Sequence, residues 1–235
     1  MDSQLLEKLI KYREIYQLDL AKVLLKQKIV NQTSVCGGKR AADEFVIKVD
    51  SANDIPTLLI VEAHVAKAYW KEFSKRLGRT YPNFHRRAHR CDPPNQLLDV
   101  GYHYLTRVVI AWCRQAKFPS ELGFFHTAQS AGAQPFAYDF VEWLRPITVD
   151  RAVRAVVSKQ KRPRYTATPE QISKTVHLVK RELDRLYFHR QLGYCVRLEY
   201  WAQLLLLNLR EQVSSQQHPY LYFPSLRHET RCRKM

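Results

Sequence analysis

The sequence predicts a mainly α-helical protein, and three observations carry that reading. Only seven glycines occur in 235 residues, apolar residues recur at the 3.6-residue period over long stretches, and helix-start signals stand where those stretches begin. A hydrophobic content of 46% is that of a packed globular chain and not of a disordered one. At this length the chain can build one sizeable core, or a core with a helical arm.

The elements follow in order. Leu5, Leu6, Leu9 and Ile10, then Val23, Leu24 and Ile29, trace an interrupted helical arm within residues 1–50, with Gly37-Gly38 as its stop. The segment EFVIKV at 44–49 reads equally as a short strand or as helix. A helix over 56–77 is announced by Asp54 as cap and Pro56 in its first turn. Another begins at Asn95, after Pro93-Pro94, with Leu98, Leu105, Val109 and Trp112 as its buried stripe. Residues 158–168 are polar and basic and read as a loop. In the capping box that follows, Thr168 caps, Pro169 opens the helix and Gln171 reaches back to a free backbone amide. The helical region then continues to about residue 213, with a bend near Gly193, before a basic irregular tail over 214–235. There is no internal repeat and no low-complexity tract.

The charge narrows the function classes. Against 22 Asp and Glu stand 38 Lys and Arg, a formal net charge of +16, which favours a polyanionic partner or an anionic membrane. The longest uninterrupted leucine run, Leu204 to Leu207, falls far short of the roughly 20 residues of a membrane span. The N-terminal stretch is a charged amphipathic helix without the features of a secretion signal. The five cysteines form no C-x-x-C pair, so neither a zinc ribbon nor a disulfide framework is implied, and a reducing cytoplasm is the expected setting. Nucleic acid is therefore the leading partner class.

Three places carry chemistry. Leu58, Leu59, Val65, Ala66, Tyr69 and Phe73 form one helical face, and Glu62 falls on it. An unpaired buried carboxylate is costly, so it takes a cation: an arginine, a lysine or a metal. A glutamate salt-bridged at the edge of the stripe is the alternative. Asp139 and Glu142 stand three apart on one helix flank among Phe136, Phe140 and Leu144, with His126 thirteen positions before Asp139. Read alone, these are a solvated acidic flank and an ordinary hydrogen-bonded histidine. His85, His89 and Cys91 form a further constellation that suits zinc, although no fourth ligand accompanies it.

Taken in order, these residues resemble the CRISPR-associated integrase family, the Cas-one proteins. The likeness rests on Glu62 in EAHVAKAYW, the stretch RRAHRCDPPNQLLDVGYHYL, the turn GFFH and the helix DFVEWLRP, across residues 62–146. AKVLLKQKIVNQ at 21–32 is similar to the family's helix before the catalytic core. Ala63 replaces the family's usual glycine, and Asp99 stands where asparagine is commoner. The resemblance implies the helical catalytic lobe of that fold without its N-terminal β-domain. It divides the chain into an arm at 1–50, a metal-binding catalytic core at 51–157, further helices of the same lobe at 158–213, and the tail.

The family's activity is then the expected one: joining 3′-hydroxyl ends of short duplexes, as new spacers, into CRISPR repeat DNA by transesterification. The resemblance assigns Glu62, His126, Asp139 and Glu142 to a Mg²⁺ or Mn²⁺ site, with Glu142 as the better match to the direct ligand. Carboxylate oxygens suit either ion and the imidazole leans towards Mn²⁺. No protein nucleophile is needed. For DNA binding the expected residues are Arg76, Arg79, Arg86, Arg87 and Arg90, Asn95, Arg145, and Lys159, Lys161, Arg162 and Arg164 in the later loop. Tyr102 and Tyr104 either stack on a splayed strand end or pack into the core. A homo-oligomer, dimer or tetramer, is expected, and a Cas-two-type partner is open, as compact type V integrases work without one. The alternatives are a casposase-like transposase and a DNA-binding protein without catalysis. Casposases usually carry an added C-terminal DNA-binding domain, for which the stretch after 213 leaves no room.

Overall fold

The computed structural model describes residues 3–78, 80–127, 132–160, 162–224 and 232. In order, these form α1 (Ser3–Cys36), α2 (Lys39–Ser51), α3 (Ile55–Arg76), α4 (Pro93–Gln115), α5 (Pro135–Val141), a π-helical segment (Pro146–Asp150), α6 (Arg151–Val157), α7 (Pro169–Leu183), a hairpin of β1 (Leu186–His189) and β2 (Tyr194–Arg197), and α8 (Leu198–Ser215). The mainly helical expectation holds.

Helix α1 is unbroken for 34 residues, where the apolar pattern had suggested interruptions. The reason is that it buries two faces. Leu5, Leu9, Tyr12, Leu20, Leu24 and Val35 join the main core, while Ala21, Leu25 and Ile29 pack with Val49, Leu58, Val61 and Val65 of α2 and α3 in a smaller one. Two stripes offset around one helix do not read as a single period. Gly37 and Gly38 both take positive φ, which a side chain would strain, and turn the chain from α1 into α2. The ambiguous 44–49 segment is helix, within α2.

The Asp54 cap is as expected, its carboxylate accepting from Thr57 N at 2.7 Å. Leu59, counted with the buried face of α3, is instead exposed, and Val61 is buried. Helix α4 starts two residues earlier than the prolines suggested. Asp92 is its cap and Pro93 and Pro94 occupy its first turn, where no backbone donor is required. Both halves of the Thr168–Gln171 capping box are present.

Beyond α7 the single bent helix gives way to the β1–β2 hairpin, in which Tyr187 pairs with Val196 and Phe188 with Cys195. Cys195 is joined to Cys232 by a disulfide, which the cysteine spacing had not implied. The start of the tail is docked: Trp201 Nε1 donates to the Tyr222 carbonyl at 2.6 Å, and Phe223 stacks edge-on against Trp143. The rest of the expected basic tail, apart from Cys232, lies outside the described residues, as do Arg79 and Lys161. No helix among the described residues is long and apolar enough to cross a membrane.

Candidate active site

Several segments of the chain, distant in sequence, meet at one cleft. Its lining includes Lys28 and Gln32 of α1, Glu62 and Tyr69 of α3, Tyr102 of α4, His126, and Glu142, Arg145 and Asp150 from the run that follows α5. The cleft measures about 320 Å³. Glu62, His126 and Glu142, separated by up to 80 positions in the sequence, are thus brought together.

Asp139 has a different place. Its carboxylate is buried, and both oxygens are occupied. Oδ2 accepts from Phe124 N at 2.6 Å and Phe125 N at 3.0 Å, and Oδ1 accepts from His126 N at 2.8 Å. Oδ1 also lies 2.6 Å from His126 Nδ1. A carboxylate only accepts, so Nδ1 carries the proton and Nε2 is the ring's basic nitrogen. Asp139 therefore folds the GFFH turn and sets the histidine tautomer. Gly123 makes this closeness feasible: a Cβ there would lie 2.4 Å from the His126 carbonyl and 2.7 Å from Pro135 Cβ.

Glu142 is the carboxylate that faces the cleft. Lys28 Nζ lies 2.7 Å from Glu62 Oε1 and 2.6 Å from Glu142 Oε2, bridging the two, while Arg145 Nη1 donates to Glu142 Oε1. Burial alone would raise the Glu142 carboxyl, but Arg145 and Lys28, helped by His126, outweigh it and bring it down to about 2. For His126 burial opposes the charge, yet Asp139 and then Glu142 lift it above the usual histidine value. Glu62 is half-buried and ion-paired, as in the alternative of a salt-bridged glutamate at the edge of the stripe, and its cation is a lysine carried on α1. As they stand, no three acidic, histidine or cysteine side chains among the described residues are drawn together closely enough to hold a metal ion, at this cleft or at His85, His89 and Cys91.

A layer beneath supports Arg145. Asp150 is buried at the end of the π-helical segment and accepts from Tyr69 Oη and Tyr102 Oη, each at 2.6 Å. Burial raises its carboxyl to about 6 against the pull of those two hydrogen bonds. The Tyr102 ring, held this way, lies 4.7 Å from the Arg145 guanidinium carbon and 5.5 Å from that of Arg86. Arg145 Nε is buried without a partner among the described residues.

Lys28 and Asp150 were not singled out from the sequence, and Tyr69 only as part of the apolar face of α3; for the first two the signal was there. Lys28 sits among Leu24, Leu25 and Ile29 on a buried face, as Glu62 does on its own, and Asp150 interrupts an apolar run between Val149 and Ala152.

The expected DNA-contacting residues separate into groups. Arg86 lines the cleft and pairs with Asp99 at 2.6 Å. Arg87 is exposed, and Arg90 is exposed beside Asp92 at 3.3 Å. Arg76 donates to the Cys36 carbonyl at 3.0 Å. Asn95 is a correction: it is fully buried, its side chain engaged with Arg86, Arg87 N, the His85 carbonyl and Asp92, so it shapes the loop and is out of reach of a duplex. Tyr104 packs against the core with Lys180 over its ring and is not part of the cleft. Arg162 and Arg164 share a separate pocket with Lys159 and Lys174. A wider groove runs on from the cleft through Trp70 and Arg86, walled by Lys67, Lys71 and Lys75 of α3 and by Phe84, His85 and Arg87 of the loop.

The helical lobe and this cleft of paired carboxylates, cations and a histidine go with a family match. The chain belongs to the CRISPR associated protein Cas1 family, whose family model matches residues 6–186. No curated protein matches it. Among solved structures, it is similar to a casposase bound to integration product, with a TM-score of 0.80 and 20% identity over 94% of this chain and 68% of that one. TM1797, a Cas1 protein from Thermotoga maritima, aligns with a TM-score of 0.74 and 19% identity over 91% and 71% of the two chains. The Cas6-RT-Cas1–Cas2 complex aligns at 0.73 and 19% over 89% of this chain and 25% of the other.

Proposed function

We propose that this protein is a metal-dependent DNA integrase of CRISPR adaptation, joining 3′-hydroxyl ends of short duplexes into a CRISPR repeat. The observation that carries the proposal is the convergence of Glu62, Glu142 and His126 on one cleft that continues into a basic groove. Two carboxylates and one imidazole nitrogen are a donor set for Mg²⁺ or Mn²⁺. Glu62, His126 Nε2 and Glu142 would hold the ion, and Asp139 positions the histidine without being a ligand. When bound, the ion supplies Lewis acidity to the phosphodiester oxygens during displacement.

The remaining parts act through the chain's own side chains. Arg145, stacked on Tyr102 and lining the cleft, supplies positive charge for a phosphate held there. Lys67, Lys71, Arg86 and Arg87 line the path of a strand's phosphates, with Trp70 as an aromatic surface for a base. Arg162 and Arg164, with Lys159, contact DNA at a second place. The proposed acting form is a homo-oligomer; a Cas2-type protein as partner is in line with the Cas6-RT-Cas1–Cas2 complexes among the structural neighbours. Integration at transposon ends, as the casposase likeness suggests, would use the same cleft and differ in the target.

The test uses supercoiled plasmid carrying a candidate repeat, duplexes with free 3′-hydroxyls, and Mn²⁺ or Mg²⁺. Wild-type protein is expected to join duplex to plasmid, and His126→Ala is expected to bind DNA without joining. Equal joining by both proteins would refute the assignment.

A further inference from the structure

The Lys28 ammonium is the most unusual feature of the cleft. It touches one oxygen of Glu62 and one of Glu142, and its side chain is only 11% exposed. A buried lysine between two carboxylates is a stable ion triad, and it fills the space between those oxygens. Glu142 has no free oxygen left, since Arg145 takes the other. A divalent ion ligated by both carboxylates needs the volume that Nζ fills, and two cations that close repel strongly away from water.

We propose that Lys28 is a tethered counter-cation, which holds Glu62 and Glu142 together in the metal-free protein and is displaced when a divalent metal binds. The inference rests on the metal-site reading above and adds the exchange. The backbone at Lys28 is fixed: Leu24, Leu25 and Ile29 are buried around it, and Asn31, one turn on, donates to the Trp143 carbonyl at 2.6 Å. Only the side chain can leave, and its four-carbon stem has the freedom to do so. Gln32, Tyr69 and Arg86 line the rest of the cleft into which it would turn. Metal and lysine are then alternative occupants of one carboxylate pair, and Lys28 sets how much free metal the site requires.

The experiment measures Mn²⁺ binding without DNA, from the electron paramagnetic resonance signal of free Mn²⁺, in wild type, Lys28→Met and Lys28→Arg. Melting temperatures are taken in EDTA and in Mn²⁺. Removing the competing charge should tighten Mn²⁺ binding by about tenfold or more, the equivalent of at least ~1.4 kcal/mol. Lys28→Met should also melt lower than wild type in EDTA and gain more from Mn²⁺, because its two carboxylates are left without their shared cation. Lys28→Arg keeps the charge and should bind no more tightly than wild type. Lys28→Gln, milder in shape, should follow Lys28→Met and guards against loss of the fold. If wild type binds Mn²⁺ and both neutral variants bind it equally or more weakly, Lys28 supports the metal and the exchange is wrong. If no folded variant binds Mn²⁺, the metal-site reading fails, and the exchange with it.

Discussion

Replacing Asp139 with alanine removes the acceptor for four contacts at once. Three backbone N–H groups, of Phe124, Phe125 and His126, and the His126 ring nitrogen all converge on one buried carboxylate. A hydrogen bond to a charged group contributes about 1.5–3 kcal/mol, and stranding a buried donor loses its solvation besides. The four are not additive, because the turn relaxes and water reaches the partly exposed imidazole. The expected loss is therefore about 3–5 kcal/mol, the size associated with breaking a buried network. In a chain of this length that corresponds to a melting temperature lower by roughly 10 °C. Urea unfolding followed by circular dichroism measures it. Asp139→Asn, which keeps one acceptor oxygen, should lose about half as much. A loss below about 1 kcal/mol for the alanine variant would show that the GFFH turn is held by something else.

Three further outcomes follow from the same geometry. Gly123→Ala should destabilise the turn and weaken joining together, since its Cβ would meet the His126 carbonyl at 2.4 Å; unchanged melting would contradict this. Asp150 has its carboxyl raised to about 6, so its contribution to stability is full below the unfolded value near 3.8 and is lost as pH rises through about 6. Wild type should lose about 3 kcal/mol relative to Asp150→Asn between pH 4 and 7, and urea midpoints that shift in parallel would refute the assignment. Double replacement of Lys67 and Lys71 by alanine should weaken DNA binding and lower the slope of log affinity against log salt by about 2. An unchanged slope would place the DNA elsewhere.

Much of the fold was legible because the helices carry their own punctuation. Asp54 with Pro56, and Thr168 with Gln171, are local signals that the structure realises bond for bond. What failed was non-local. Helix α1 read as interrupted because it serves two cores, and the Asn95 start was misplaced because Asp92 caps the helix from before the prolines. The β1–β2 hairpin is short, with only Tyr187, Phe188, His189 and Val196 buried, and such a pattern cannot be told from helix by period. At the site, the positions of Glu62, His126 and Glu142 were readable, and so was the demand for a cation at Glu62. That the cation is Lys28 depends on α1 crossing α3, which no local pattern encodes. Asp139 and Glu142, alike in sequence and both buried, are separated by orientation: one carboxylate faces the turn's amides and the other the cleft.

The measurement that tests the central claim most directly is a crystal structure with Mn²⁺ bound, using anomalous differences to locate the ion. The account predicts one peak in the cleft ligated by Glu62, Glu142 and His126 Nε2, with the Lys28 ammonium turned away and Asp139 still holding the backbone amides of the 124–126 turn. A peak bound by Asp139, or an ion outside the cleft while Lys28 keeps its bridge, would contradict it.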